Sequence, residues 1–512
     1  MFRKLIYTAL IFVAALAVLE VTARRLEAPS GEGASTGNAP GWQTKFFRDL
    51  FEWHRPDPDL LWRFRPNLKS DYVVTNSRGF IGPELIDAPG DSVFRILLLG
   101  DSSPVGLGLP SHELSFGPVL AELLRKDAHC GQAVELINAS VTGYSSEQVA
   151  RLCELKAAAL DPDLVIVYVG NNDASISGAT SDSALMASQR LTGVRRWLGG
   201  FAIYRVMRAL LTAGESDATG RTTEAQSQFC ERVSPKRFRQ NLKRIAGQCR
   251  DLGCPLVVVK PAVPLMWPAG LQFKVFQSTS GIDGELILPS LLREILGREV
   301  EYCFDWEDIY RRYGDGDRFT RTVYGSAFTD TLPAAAAMTR YLQLVQKQPQ
   351  QPVWANNLAV SYWRTGDLQS AEDWSARAIS LVEATGQAAD SLLSDAARAV
   401  FHYNRGIVWL TESGRDLQAS FPDTTRALAY LDSALQADFL SLRIKRAYLL
   451  VAQEMADYDV AAVDGPAALG QSSESPLAAE HLFIDHCHPT AAGHRLIAEA
   501  VYRALDSAGW LP

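Results

Sequence analysis

Four short, nearly unbroken apolar runs constrain this chain more than any other feature. They are Phe94-Arg95-Ile96-Leu97-Leu98-Leu99, Val134-Glu135-Leu136-Ile137, Leu164-Val165-Ile166-Val167-Tyr168-Val169 and Leu256-Val257-Val258-Val259. Runs without in–out alternation fit strands covered on both faces, as in a parallel sheet. Helical patterns separate them, around Glu113–Lys126, Ser146–Leu160 and Pro235–Leu252. Ser145-Ser146-Glu147 offers a cap to the second helix, and Asp161-Pro162 stops it. A final candidate strand, Val460 to Val463, precedes a helix at about Ala491–Leu505. This alternation predicts an α/β fold, a three-layer doubly wound parallel sheet with helices on both faces. Reactive groups in such sheets belong beyond the carboxyl ends of the strands.

The loops at those ends carry a set of chemically useful residues. Gly100-Asp101-Ser102-Ser103 follows the first strand, Asn138-Ala139-Ser140-Val141-Thr142-Gly143 the second, and Gly170-Asn171-Asn172-Asp173 the third. Asp485-His486-Cys487-His488-Pro489 precedes the last helix. Taken singly, each is an ordinary turn or cap: Gly143 can merely supply a positive φ, and Asp485 and Pro489 can start a helix. Together they place a hydroxyl, a histidine with a nearby carboxylate, and hydrogen-bond donors at one sheet edge. Acyl transfer needs those parts: a nucleophile, a base to take its proton, a group to orient the base, and donors for the developing oxyanion.

Four blocks in this order resemble the SGNH (GDSL-like) hydrolase family, over about 225 residues, a normal domain size. The resemblance implies a flavodoxin-like sheet, with Ser102 as nucleophile, His488 as general base and Asp485 as its orienting partner. It further implies an oxyanion hole built from the backbone N–H groups of Ser102 and Gly143 and the side-chain amide of Asn172. Ser103 stands where the family motif carries leucine, a loosely held position. No Gly-x-Ser-x-Gly elbow is present, which argues against a lipase-type α/β-hydrolase. No cofactor or metal is expected. His486, Cys487 and His488 with Asp485 invite a metal reading, but adjacent side chains converge poorly on one ion, and no second cluster at zinc spacing supports it. His494 reads as a surface or packing histidine. Cys249 and Cys254 are close enough in sequence for a short disulfide in an oxidising compartment, with the pairing of the chain's seven cysteines left open.

The amino terminus points away from a plain soluble protein. Arg3 and Lys4 precede an apolar run from Leu5 to Leu19, and Arg24 and Arg25 follow it. A helix from Leu5 to Thr22 would span roughly 27 Å at 1.5 Å per residue, close to the hydrocarbon thickness of a bilayer. The reading is a single-pass signal anchor, with a cleaved signal peptide as its rival because Val21-Thr22-Ala23 resembles a cleavage site. Either places the remaining chain on the extracytoplasmic (periplasmic) side of a cell membrane. The Gly/Ser-rich stretch after Pro29 reads as a tether.

The expected organisation is therefore a tail (1–4), the transmembrane anchor (5–22), a linker (23–45) and a lead-in segment (46–93). The hydrolase begins at 94–262 and resumes at 451–512. Between lie a variable insertion (263–330) and an all-α insertion (331–450). In the last, Leu358-Ala359, Tyr362, Gly366-Asp367, Ala371 and Ala378 fall at spacings that look like one tetratricopeptide repeat (TPR). A degraded copy runs from Tyr403 and Gly406 through Ala427 and Ala434, interrupted at about Glu412–Thr424. Such a pair must lean on the hydrolase, as buttress or as a surface for a protein partner. Gln189–Thr212 carries five arginines without an acid, and reads as a covering helix or a membrane-surface helix. The turn-rich lead-in from Asp57 to Phe80 resembles one found in membrane-tethered bacterial members of the same family, and reads as packing on the sheet.

With 50 Lys and Arg against 58 Asp and Glu the chain is mildly acidic, which leaves no whole-molecule field for nucleic acid. The function expected is an extracytoplasmic, membrane-tethered serine esterase, with O-acylated cell-envelope carbohydrate as the candidate substrate. Two alternatives are an O-acyltransferase using the same acyl-enzyme, and a non-catalytic assembly protein that works through its helical insert.

Overall fold

The computed structural model describes residues 52–70, 73–87, 90, 92–127, 131–175, 180–190, 230–265, 334–386, 392–410, 424–438, 443–458, 460–471, 479 and 482–511. The anchor at 5–22, the linker, nearly all of the variable insertion, the arginine-rich stretch from 191 and the interruption at 412–423 lie outside them. Among the described residues no helix is long and apolar enough to cross a membrane.

Two strands, β1 (His54–Asp57) and β2 (Leu61–Phe64), form an antiparallel hairpin. The main sheet holds β3 (Val93–Gly100), β4 (Ala133–Asn138), β5 (Leu164–Tyr168), β6 (Leu256–Lys260) and β7 (Ala461–Asp464). Its order is β4-β3-β5-β6-β7, and every pairing is parallel. The order reverses at β3, so the chain winds outward in both directions from its first strand, which sets the loops after β3, β4 and β5 side by side where such sheets bind ligands.

The continuous apolar runs are explained by burial on both faces. Ile96, Leu98, Ile166 and Tyr168 meet α2 (Phe116–Lys126) and α13 (Ala491–Ala508) on one side. Leu97, Leu99, Val165 and Val167 meet α3 (Ser146–Leu160) and α5 (Pro235–Leu252) on the other. Each such fully buried aliphatic side chain stabilises the fold by about 2 kcal/mol. The helix ends follow local chemistry. The Ser145 N–H donates to Gln148 Oε1 at 3.1 Å at the start of α3, and Asp161 ends it in the left-handed region at φ 49°. The helix expected over Glu113–Lys126 is broken. A 3₁₀ turn, His112–Leu114, comes first, and extended backbone at Ser115 (φ −72°, ψ 159°) restarts the chain as α2.

Between β6 and β7 lie α6 (Ala334–Lys347), α7 (Pro352–Thr365), α8 (Leu368–Gly386), α9 (Leu392–Leu410), α10 (Thr424–Ala437) and α11 (Arg446–Glu454). Successive members from α6 to α10 pack on one another. Leu358, Ala359, Ala371, Ala378, Ala427 and Ala434 are buried at the contacts, where small side chains let helices approach. Gly406 leaves no room for a Cβ, which would lie 2.9 Å from Leu431. By contrast α11 belongs to the hydrolase layer. Tyr448 donates its hydroxyl proton to the Val233 carbonyl at 2.8 Å and sets its ring edge-on to Phe238.

Cys249 and Cys254 are free thiols, so the short disulfide considered from their spacing is not formed. The lead-in packs on the core through Leu60, Phe64, Val73, Phe80 and Ile81, which share one cluster with Leu97, Leu99 and Ile137 of the sheet, and the β1–β2 hairpin also meets the loop after β4.

Candidate active site

β3 ends at Gly100, where a Cβ would lie 2.4 Å from the Tyr168 carbonyl oxygen and 2.6 Å from Pro104. Only glycine permits the chain to turn this closely off the sheet into α1 (Ser102–Val105). Asp101 caps that turn, its Oδ1 accepting the Ser103 N–H at 2.9 Å. Ser102 thereby stands at the carboxyl edge of β3, only 9% exposed.

The loop before α13 brings His488 to the serine. Ser102 Oγ donates to His488 Nε2 at 2.7 Å, and His488 Nδ1 donates to Asp485 Oδ2 at 2.7 Å. The Asp485 carboxylate also accepts the N–H groups of Cys487 and His488, each at 2.9 Å. Those two donors fix the carboxylate, the carboxylate fixes the Nδ1–H tautomer, and the free Nε2 lone pair faces the hydroxyl. Burial alone would raise the Asp485 pKa; the His488 and His486 rings and these hydrogen bonds outweigh it and hold the carboxyl well below its usual range. For His488 burial acts downward, but the charge and hydrogen bond of Asp485, with Asp101 behind them, raise the imidazole above its ordinary 6.5.

Gly143 and Asn172 meet on the loops beside this chain of three. Gly143 turns the chain at φ 77°, and the Asn172 amide donates to the adjacent Tyr144 carbonyl at 3.1 Å. An amide nitrogen carries two hydrogens, so one remains for another acceptor. Asp173 ties this loop to α3 by accepting the Ser146 N–H at 3.1 Å, and burial pushes its pKa up to about 7.

Asp485, Cys487 and His488 each bring a potential ligand atom within 4.8 Å of the others. Asp485 already accepts three N–H donors, and burial pushes the Cys487 thiol up, away from the thiolate that a metal would need. Asp485 and His488 are instead engaged with each other and, through His488, with Ser102. His494 is a packing residue and not a surface one: it is fully buried, and its Nδ1 accepts the Phe116 N–H at 3.3 Å. Burial and the nearby His488 push its pKa down to about 3, which keeps it neutral.

Sequence reasoning passed over Trp62, Tyr144 and Arg232. Trp62 Nε1 donates to the Thr142 carbonyl at 3.1 Å, and Tyr144 donates its hydroxyl proton to the Trp62 carbonyl at 2.6 Å. Arg232 donates to the Gly143 carbonyl at 2.8 Å and pairs with Asp182 at 2.8 Å. Trp62 sat in a segment read only as packing, and Arg232 belongs to no motif, so neither carried a local signal.

A sequence profile described as "GDSL-like Lipase/Acylhydrolase" matches residues 96–501. Among solved structures the chain is similar to "TesA", at 17% identity and a TM-score of 0.20, over 40% of this chain and 82% of that one. It is also similar to the psychrotrophic esterase EstA from Pseudoalteromonas sp., at 17% identity and a TM-score of 0.19, over 33% of this chain and 61% of that one. No curated protein matches it.

Proposed function

The chain belongs to the GDSL-like lipase/acylhydrolase family and is an ester-bond hydrolase, and from that premise we propose that Ser102, His488 and Asp485 perform the hydrolysis through an acyl-enzyme. The observation that carries the assignment is the unbroken hydrogen-bonded path from Ser102 Oγ through both nitrogens of His488 to Asp485. Ser102 Oγ attacks the ester carbonyl as its proton passes to His488 Nε2. The negative charge on the carbonyl oxygen is met by the N–H groups of Ser102 and Gly143 and by the free hydrogen of the Asn172 amide. Collapse breaks the ester bond, and the imidazolium returns its proton to the leaving alkoxide. Water, deprotonated by the same nitrogen, then cleaves the acyl-serine.

The further setting is part of the proposal. The basic-flanked apolar run at 5–22 supports a single-pass anchor with the hydrolase on the extracytoplasmic side. That location favours an O-acylated cell-envelope carbohydrate as substrate. The small residues buried between α7 and α8, and again between α9 and α10, support a TPR-like insert that offers a surface to a protein partner.

The decisive experiment treats the chain from residue 29 onward with a serine-directed fluorophosphonate and assays acetyl, butyryl and long-chain esters beside an O-acetylated polysaccharide. Labelling at Ser102, with fluoride lost, and turnover of at least one ester are expected. Labelling elsewhere, or none, refutes the nucleophile assignment. Release of free acetate from the polysaccharide supports hydrolysis there, whereas acetyl transfer to an added sugar supports the acyltransferase alternative.

The pH dependence follows from the raised His488 pKa. Catalysis needs the neutral imidazole, and a raised pKa keeps the ring protonated to higher pH. The acid limb of kcat/KM should therefore have its midpoint above pH 6.5, with the rate rising as pH increases through it. A midpoint at or below pH 6 would contradict this reading of the Asp485–His488 pair.

A further inference from the structure

The geometry points to Trp62 as a positioning residue for the oxyanion hole, holding the Gly143 N–H on target from outside the hydrolase sheet. The inference rests on the acyl-enzyme reading above, and it concerns the one donor in that reading that is mounted on a glycine turn. Gly143 sits at φ 77° with no side chain to lock it, so rotation of its flanking peptides meets little steric resistance. Its N–H belongs to the same planar unit as the Thr142 carbonyl, and in a trans peptide the two point in opposite directions. Fixing that carbonyl therefore aims the N–H. Trp62 does so with an indole N–H donated to the Thr142 oxygen at 3.1 Å.

The next peptide is held independently. Arg232 donates to the Gly143 carbonyl at 2.8 Å, and the Tyr144 N–H donates to the Val141 carbonyl at 3.2 Å. Both peptide planes that meet at Gly143 are thus pinned, one by Trp62 and one by Arg232 with Tyr144. The indole has its own supports. Tyr144 donates its hydroxyl proton to the Trp62 carbonyl at 2.6 Å and sets its ring edge-on at 5.9 Å. The Arg232 guanidinium lies 5.9 Å over the indole, and Trp62 Cζ2 lies 3.4 Å from where a Cβ on Gly143 would stand. Thr142 Oγ1 and His54 Nε2, 2.8 Å apart, join the same hairpin to the same loop. A hydrogen bond to a peptide carbonyl also polarises that peptide, so Trp62 strengthens the Gly143 N–H as a donor besides aiming it.

The test is Trp62→Phe in the full-length protein, which keeps a ring and removes the N–H. Expected is a fall in kcat of about 10-fold, a modest share of what loss of a whole oxyanion donor produces, with KM within about twofold. The midpoint of the acid limb should not move, because His488 is untouched. Tyr144→Phe, which loosens the Trp62 backbone without altering the indole, should lower kcat by about threefold in the same pattern. It covers the case in which the tryptophan variant fails to fold. An unchanged kcat in the folded variants overturns the inference, as does a parallel change in KM or a shifted acid limb. Fluorophosphonate labelling of Ser102 in the unmodified enzyme separates the two levels. If Ser102 labels and Trp62→Phe is silent, only the clamp fails; if Ser102 does not label, the acyl-enzyme reading beneath it fails.

Discussion

Ser102→Ala is expected to lower ester turnover by about ten-thousand-fold or more while the protein remains folded. The substitution removes the atom that attacks the carbonyl. What survives is attack by water within a site that still holds the ester and still stabilises its oxyanion, and such remnants leave rates far below those of the intact relay. The fold should tolerate it. Ser102 lies in a four-residue turn held by the Asp101 cap and the fit around Gly100, and neither depends on Oγ. The loss is one hydrogen bond to His488, about 1 kcal/mol. Steady-state hydrolysis and a thermal melt measure the two quantities together. A variant within tenfold of wild type would remove Ser102 from the chemistry. A variant that is both inactive and unfolded would show that Oγ matters to the fold in a way its contacts do not reveal.

Asp485→Asn should cost about ten-thousand-fold in kcat with almost no change in shape, and for a different reason. Asp485 Oδ1 accepts two backbone N–H groups, from Cys487 and His488. An asparagine keeps its oxygen on those donors, so its NH₂ group turns toward His488 Nδ1. The ring must then accept at Nδ1, which forces its proton onto Nε2, facing the serine. A base in that tautomer has no lone pair for the Ser102 proton. Asp485→Asn with Ser102→Ala should be no worse than Ser102→Ala alone, because both disable one unit. Additive losses in kcat would mean that the two act separately.

The sequence made the sheet and its edge legible for a physical reason. Strands buried on both faces are apolar at nearly every position, the buried Arg95–Glu135 ion pair apart, so Leu97 and Leu98 read alike although they enter opposite layers. Residues at strand ends inherit a location from that pattern, which is why Ser102, Gly143 and Asn172 read as neighbours on one edge, with the Asp485–His488 block assigned there by its place before the last helix. What stayed illegible depends on contacts between segments without a shared period. Trp62 meets Thr142 from 80 positions away, and its neighbours in sequence show only a turn. The boundary expected between insert and hydrolase, at 450 and 451, falls inside α11, because an apolar helix face does not state which partner covers it. The early end of the 3₁₀ turn at Leu114 reflects extended backbone at Ser115, which its residue type allows but does not demand.

The bond between Ser102 and His488 joins residues 386 positions apart. At synthesis rates of about 5 to 20 residues per second, the histidine follows the serine by about 20 to 80 s. On the mechanism proposed, the nascent chain carries its nucleophile without its base through that interval. Competence arrives only once the helical insert has been made and α13 has closed the sheet. A product that stops before residue 488 would hold Ser102 without the imidazole it bonds to in the fold.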